Sequence, residues 1–362
     1  SILWGVASLV FVIFQLKPGD PSRMLGGQFT DEATLQAIRT DLGLDLSTGA
    51  RYLLYLNNVS PISFHSPKPE SPFAYKNDLY SGVKMNLGFT HLALKWPYLG
   101  KSYQSKRSVN NIIYEAFPGT MLLAFSSIIL ALILGFVFGV STVVYQNSIF
   151  DKLVTSLASV GMSGPSFFTG ILVAWLAAFV WFEEFNVSVY LLVFIAFLFF
   201  IGKIPKKNRK AISLSLFIVV ILLACLLPFN LHLPGTGLPI SGSLYDVDPF
   251  SGRQLSLQNL ILPTITLAIR PLGVFIPLIR NSILDEMSKP YIKTYRSWGY
   301  GSWFNTFYQA LPNALNPIVT SVSGWFASLL AGAVFVEYIF SWRGLGLVIY
   351  EALERDDIPV VM

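Results

Sequence analysis

Apolar residues in this chain come in long unbroken runs. They follow neither the alternation of a half-buried strand nor the spacing of a helix with one wet face, and each run therefore predicts a membrane-crossing helix. The runs cover residues 1–16, Thr120–Tyr145, about Val154–Phe182, Val187–Ile201, Ala211–Leu227, Leu257–Leu284 and Asn313–Phe340. Continuous runs point to helices rather than to a barrel, so the expected fold class is an all-α integral membrane protein. The first run is about four residues short of a full span. It is stopped by Lys17-Pro18-Gly19-Asp20-Pro21, where the chain must turn. A signal peptide is the rival reading of residues 1–16, but no small-x-small cleavage site follows. Residues 17–110 read as a separate subdomain. Thr30 caps a helix running to Gly43, a second helix covers Thr48–Asn57, and Pro61–Ser108 is expected to be irregular. The remaining divisions are 111–186 (spans two and three), 187–227 (a hairpin of two spans), 228–256 (a turn-rich loop), 257–284, 285–312, 313–340 and 341–362.

The segment 285–312, DEMSKPYIKTYRSWGYGSWFNTFYQALP, is polar and aromatic between two apolar runs, so it belongs in water at the bilayer surface. It predicts two short helices broken at Gly299. Lys289, Lys293 and Arg296 would share one face, Trp303, Phe304, Phe307 and Tyr308 would form an aromatic stripe, and Pro312 would open the next span. Such a pair suits docking of a soluble partner; an interfacial loop touching lipid head groups is the plainer alternative. Within the spans, Gly135 and Gly139 allow close approach of a neighbouring helix. Gly161, Gly164 and Pro165 predict a break. Broken helices and buried charges mark pathway linings, which makes Pro165, Phe167, Phe168 and Arg270 candidate pathway residues. Arg280, near a span end, is expected to snorkel.

Composition agrees with this pattern: 53% of residues are hydrophobic, 12% are charged, and the mean hydropathy is +0.58. The net charge of +5 matters through its placement. Lys203, Lys206, Lys207, Arg209 and Lys210 lie between two apolar runs and assign that loop to the cytoplasm. Counting spans from there puts residues 17–110 and 228–256 outside, and the starting terminus and 285–312 inside. Cys225 is the only cysteine, which excludes intramolecular disulfides and a cysteine metal site. There is no P-loop, HExxH or GxSxG, and the three histidines are scattered; no catalytic, cofactor or metal site is expected.

Several blocks resemble the permease subunits of peptide-type ABC importers, the oligopeptide/dipeptide/nickel group. They are Pro18-Gly19-Asp20-Pro21, Leu42-Gly43-Leu44-Asp45, Asn86-Leu87-Gly88, Pro118-x-Thr120-x-Leu122-Leu123, Pro165-Ser166-Phe167, Leu262-Pro263, Arg280-Asn281-Ser282, Glu337-x-x-Phe340 and Gly344-Leu345-Gly346. The family's coupling motif is E-A-A, three residues, Gly, nine residues, I-x-L-P. Gly299 and Leu311-Pro312 stand at that separation, with Lys293-Thr294-Tyr295 in the first place and Gln309 in the Ile place. Tyr295 and Trp298 are bulkier than the family pattern, and the hairpin 187–227 is an addition to it.

The resemblance implies a type I importer permease fold, of the first-permease (B-type) kind, in the bacterial cytoplasmic membrane, with a last span following Met362. It implies docking of an ATPase through Lys293, Thr294, Tyr295, Arg296, Gly299, Leu311 and Pro312. The implied partners are a second permease subunit, two cytoplasmic ATPases that carry ATP and Mg, an extracytoplasmic solute-binding protein, and lipid; nucleic acid is not among them. The implied work is ATP-driven uptake of peptides or similar solutes by alternating access, with no catalysis by this chain. An ion-coupled secondary transporter, which would need its own coupling sites and an inverted repeat, and a membrane-anchored assembly or sensor protein stay open as alternatives.

Overall fold

The computed structural model describes residues 2–16, 31–41, 44–68, 71–75, 79–86, 90–181, 185–188, 230–233, 235–248 and 252–362. They form two compact units, residues 1–117 with 348–362, and residues 118–347.

In the first unit, helix α1 (Ile2–Leu16) is followed by α2 (Glu32–Asp41) and α3 (Thr48–Val59). Thr30 lies outside the described residues. Ser47 caps α3 by accepting the Ala50 N–H at 3.4 Å. Aromatic rings hold α1 to α3, with Phe11 centred 5.3 Å from Tyr52 and 5.5 Å from Tyr55.

The segment expected to be irregular instead contains an antiparallel sheet of β1 (Ile62–His65), β2 (Gly82–Asn86) and β3 (His91–Lys95), in the order β1-β3-β2. Short alternating stretches such as Ile62-Ser63-Phe64-His65 have strand period once a partner strand is supplied. The sheet faces the unexpected way. Ser63, His65 and Lys95 are buried, while Ile62, Phe64, Val83, Met85 and Leu94 are exposed. Lys95 Nζ lies 3.7 Å from the centre of the Tyr80 ring and has no hydrogen-bond partner among the described residues. Burial lowers the Lys95 pKa to about 8 and raises that of Tyr80 to about 12.

The second unit takes α4 (Val109–Val144) from Pro118 on, then α5 (Ile149–Ser163), α6 (Ser166–Trp175) with a π-helical turn Leu176–Val180, and two hairpins, β4 (Phe185–Ser188) with β5 (Asn230–Leu233) and β6 (Tyr245–Asp248) with β7 (Gly252–Leu255). It continues through α7 (Gln258–Met287), α8 (Pro290–Ser297), the single turn α9 (Ser302–Phe304), a π-helical stretch Asn305–Ala310, α10 (Leu311–Gly332) and α11 (Val334–Ile339). Helices α12 (Leu345–Glu354) and α13 (Ile358–Val361) close the chain.

Among the described residues, three helical segments are long and apolar enough to cross a membrane: Val109–Val144, Gln258–Met287 and Asn305–Gly332. The α5–α6 pair adds a fourth if it is one span, bent by 114° at the break anticipated near Pro165. Two expectations are corrected. The described residues are mostly helical, as expected, but short strands occupy parts of 61–108 and 228–256 that were read as irregular or as loop. The last run does not stay helical to Phe340, because α10 ends at Gly332 and a separate short helix follows. The hairpin 187–227 lies outside the described residues apart from Val187 and Ser188, which are in β4.

The core of this unit is α7, which packs against α5, α6 and α10. Contact with α4 is made at the paired glycines: a Cβ on Gly135 would stand 3.0 Å from Phe275 Cβ, and one on Gly139 would stand 2.9 Å from Ile279 Cβ. Those distances leave no room for a side chain on α4, so the glycines are what lets the two helices meet.

Candidate functional site

The 285–312 segment is built from its ends inward. Helix α7 stops beyond Met287, Lys289 adopts extended geometry (φ −69, ψ 150), and Pro290 starts α8 where no amide donor is required. Ile292 is fully buried in the core of the unit, which turns Lys293, Thr294 and Arg296 outward. The helix then ends at a left-handed glycine. Gly299 has φ +89, its N–H donates to Arg296 O at 3.0 Å, and the Tyr300 N–H donates to Tyr295 O at 3.2 Å. This is the Schellman pattern, with Gly299 at the position where an L side chain is strained. Pro312 stands in the first turn of α10, and Leu311 packs half-buried against the core.

Tyr291, which sequence reasoning did not single out, holds the base of this arch. Its hydroxyl donates to Glu286 Oε2 at 2.8 Å and accepts from Asn313 Nδ2 at 3.1 Å, joining the end of α7 to the start of α10. Burial, then the bond to Glu286, raises its pKa. Lys289 caps α8 and does not share its outer face: its Nζ is 2.6 Å from Glu286 Oε1, and this bond raises the Lys289 pKa. The anticipated row of three cations therefore reduces to Lys293 and Arg296.

The aromatic stripe is also rearranged. Tyr300, Phe304 and Tyr308 stack in a ladder with centroids 4.4 and 5.1 Å apart, while Trp303 pairs with Phe307 at 4.0 Å. Tyr295 meets Trp298 edge-on at 5.4 Å. Trp298, Trp303 and Tyr308 are 68%, 63% and 67% exposed, so the arch shows aromatic faces outward beside Lys293 and Arg296.

The pathway candidates are not brought together as a group. Pro165 stands at the α5–α6 break, Phe167 and Phe168 are exposed on α6, and the Phe167 ring lies 6.3 Å from that of Phe335. Arg270 is exposed on α7. Among the described residues no hydrogen bond, ion pair or ring contact links it to the two phenylalanines. Arg280 does not snorkel. It grips Asp151 of α5 with two bonds of 2.9 Å, and Asp151 also accepts the Asn147 N–H at 3.0 Å.

A second cluster was visible in the sequence only as a motif. Glu337 is fully buried and accepts from Thr120 Oγ1 at 2.7 Å and from the Leu347 N–H at 3.1 Å, while the Leu345 N–H donates to Thr120 Oγ1 at 2.7 Å. A Cβ on Gly344 would overlap the Glu337 carboxylate. The Gly344-Leu345-Gly346 turn is thus glycine-rich because a carboxylate occupies the space beside it. The Trp342 indole N–H donates to Gly119 O at 3.0 Å and completes the knot.

Apolar spanning helices around α7, with a structured polar arch joining two of them, define an integral membrane component. Family comparison names its kind. Residues 210–362 match the model of the binding-protein-dependent transport system inner membrane component, and residues 1–63 match the model of the N-terminal part of such components. The chain belongs to that family of transport-system membrane components. It is similar to the probable D,D-dipeptide transport system permease protein DdpB of Escherichia coli K12, at 29% identity over 100% of this chain and 85% of the relative. The dipeptide transport system permease protein DppB of Alkalihalophilus pseudofirmus is 26% identical over 99% of this chain and 86% of its own length. The glutathione transport system permease protein GsiC of Salmonella paratyphi A is 25% identical over 98% and 84%.

Proposed function

We propose that this chain is one of two non-identical transmembrane subunits of an importer that moves peptides or similar small solutes across the bacterial cytoplasmic membrane. Two cytoplasmic ATPases, carrying ATP and Mg, drive it, and an extracytoplasmic binding protein delivers the cargo. The chain itself binds no nucleotide. It takes a type I permease fold, to which residues 17–110 add an extracytoplasmic subdomain and residues 187–227 a transmembrane hairpin. The basic loop at Lys203–Lys210 faces the cytoplasm, as do the starting terminus and the arch.

The carrying observation is the arch itself. A helix terminated at a left-handed Gly299 presents Lys293, Thr294, Tyr295 and Arg296 beside exposed aromatic rings, and its base is tied to two spanning helices through Tyr291. A rigid knob so tied suits transmission of ATPase movement to the spans: closure of the ATPases pushes the arch, and α7 and α10 follow as bodies. Cargo enters when the spans open outward, and hydrolysis resets them. Pro165, Phe167, Phe168 and Arg270 are assigned to the route the cargo takes.

The test is Gly299→Val in the assembled transporter. The expected result is loss of ATP-driven uptake, of subunit assembly, or of both. Survival of both would remove the coupling assignment, and uptake by this chain without ATPase subunits would replace it with a secondary transporter.

A further inference from the structure

Arg270 is an exposed cation within a spanning helix, and no residue among those described pairs with it. The charge on such a group in a membrane is costly unless it faces water, a ligand or a partner. The geometry of α7 separates these possibilities. Residues 266, 270, 274, 277 and 281 fall on one side of a helix with 3.6 residues per turn, whereas Ile261 and Ile265, the exposed apolar positions of α7, fall on the opposite side.

The Arg270 side is closed toward the start of α7 and opens beyond Arg270. One turn before it, Thr266 is 2% exposed beneath α6, where a Cβ on Gly170 would stand 3.5 Å from Thr266 Cγ2 and 3.9 Å from the Phe340 ring. Beyond Arg270, Val274 and Pro277 are half-buried and Asn281 is exposed. The Thr266 hydroxyl is buried and has no hydrogen-bond partner among the described residues, a second unsatisfied polar group on α7, one turn before Arg270 along the helix. Unpaired buried hydroxyls are costly, so this one also awaits an acceptor or donor.

Building on the importer reading above, we propose that Arg270 reads the negative charge of the cargo: it binds a carboxylate of the passing solute at the closed end of the pathway. A planar guanidinium offers the paired donors that a carboxylate accepts, in a setting where the competing water is limited. The apolar side of α7, with Ile261 and Ile265, is left to lipid or to a partner helix.

The test uses the complete transporter, purified with its partner subunits and reconstituted in vesicles, with alanyl-alanine as the probe. Arg270→Gln is expected to slow ATP-driven uptake about tenfold, the loss of one charge-assisted contact, while Arg270→Lys stays within about threefold of the parent protein. Both variants should carry their partner subunits through purification in the usual ratio. In a Val274→Cys, Cys225→Ser double variant, which keeps Arg270 one turn away on the same side of α7, modification by a water-soluble cationic methanethiosulfonate should be slowed by alanyl-alanine and not by alanyl-alaninamide. Undiminished uptake by Arg270→Gln, loss of partner subunits from it, or modification that neither peptide slows would each overturn the proposal. The last two results would make Arg270 a contact with another subunit. If the parent complex shows no ATP-driven uptake, the importer reading fails instead, independently of Arg270.

Discussion

Replacing Gly299 separates a backbone requirement from a packing one. The residue sits at φ +89, and a Cβ built on it would meet nothing within 4 Å. A larger side chain therefore costs no clash; it costs only the left-handed conformation, about 1–2 kcal/mol for an L residue. That cost falls on the two bonds closing the Schellman turn, from the Gly299 N–H to Arg296 and from the Tyr300 N–H to Tyr295. A penalty of this size raises the population of the opened turn roughly fivefold to thirtyfold. Amide hydrogen exchange in detergent reads it directly. Exchange at positions 299 and 300 should accelerate by that factor in Gly299→Val and much less in Gly299→Asn, because asparagine tolerates the left-handed region. Exchange in α4 should stay unchanged. Equal exchange in the Val variant and the parent protein would refute the argument, and equal acceleration in Val and Asn would show that the side chain, rather than φ, is what matters.

Three further outcomes follow from buried polar groups. Glu337→Ala should destabilise the protein by about 2–4 kcal/mol, since the Thr120 hydroxyl and the Leu347 N–H lose their acceptor, and Gly344→Ala should be comparably harmful; thermal unfolding in detergent measures both. Asp151→Asn should cost about 3 kcal/mol by stranding Arg280, and adding Arg280→Met should recover much of it, which a double-mutant cycle would show. In the first unit, the folded chain releases the Lys95 proton near pH 8, while the unfolded chain holds it to the ordinary value of 10.5. The unfolded state thus binds more protons in that window, and stability should rise with pH across it. Above pH 10 the unfolded chain ionises Tyr80 first, because in the folded chain its pKa is about 12, so stability should fall again. A melting-temperature profile should peak near pH 10, and Lys95→Met should remove the rise.

What the sequence determined by itself was everything carried by neighbours along the chain. Runs of apolar residues marked the three described helices that are long and apolar enough to span a membrane, because burial in lipid needs about twenty consecutive apolar residues. Proline and glycine located the break near Pro165 and the turn at Gly299, because both act on their own backbone. The spacing from Gly299 to Pro312 identified the arch. The tertiary structure decided what depends on distant partners. Arg280 looked like a snorkelling cation until Asp151, 129 positions earlier, was placed beside it. Glu337 was a letter in a motif until Thr120, 217 positions away, gave it a bond. The strands at 62–95 stayed hidden because a short alternating stretch is a strand only when another supplies its hydrogen bonds, and because this sheet buries its polar side, the reverse of the pattern by which strands are recognised. Local conformation is written in adjacent residues. Pairing across the fold is decided only by the tertiary structure, where the low dielectric makes a partner such as Asp151 or Thr120 worth most to a buried polar group.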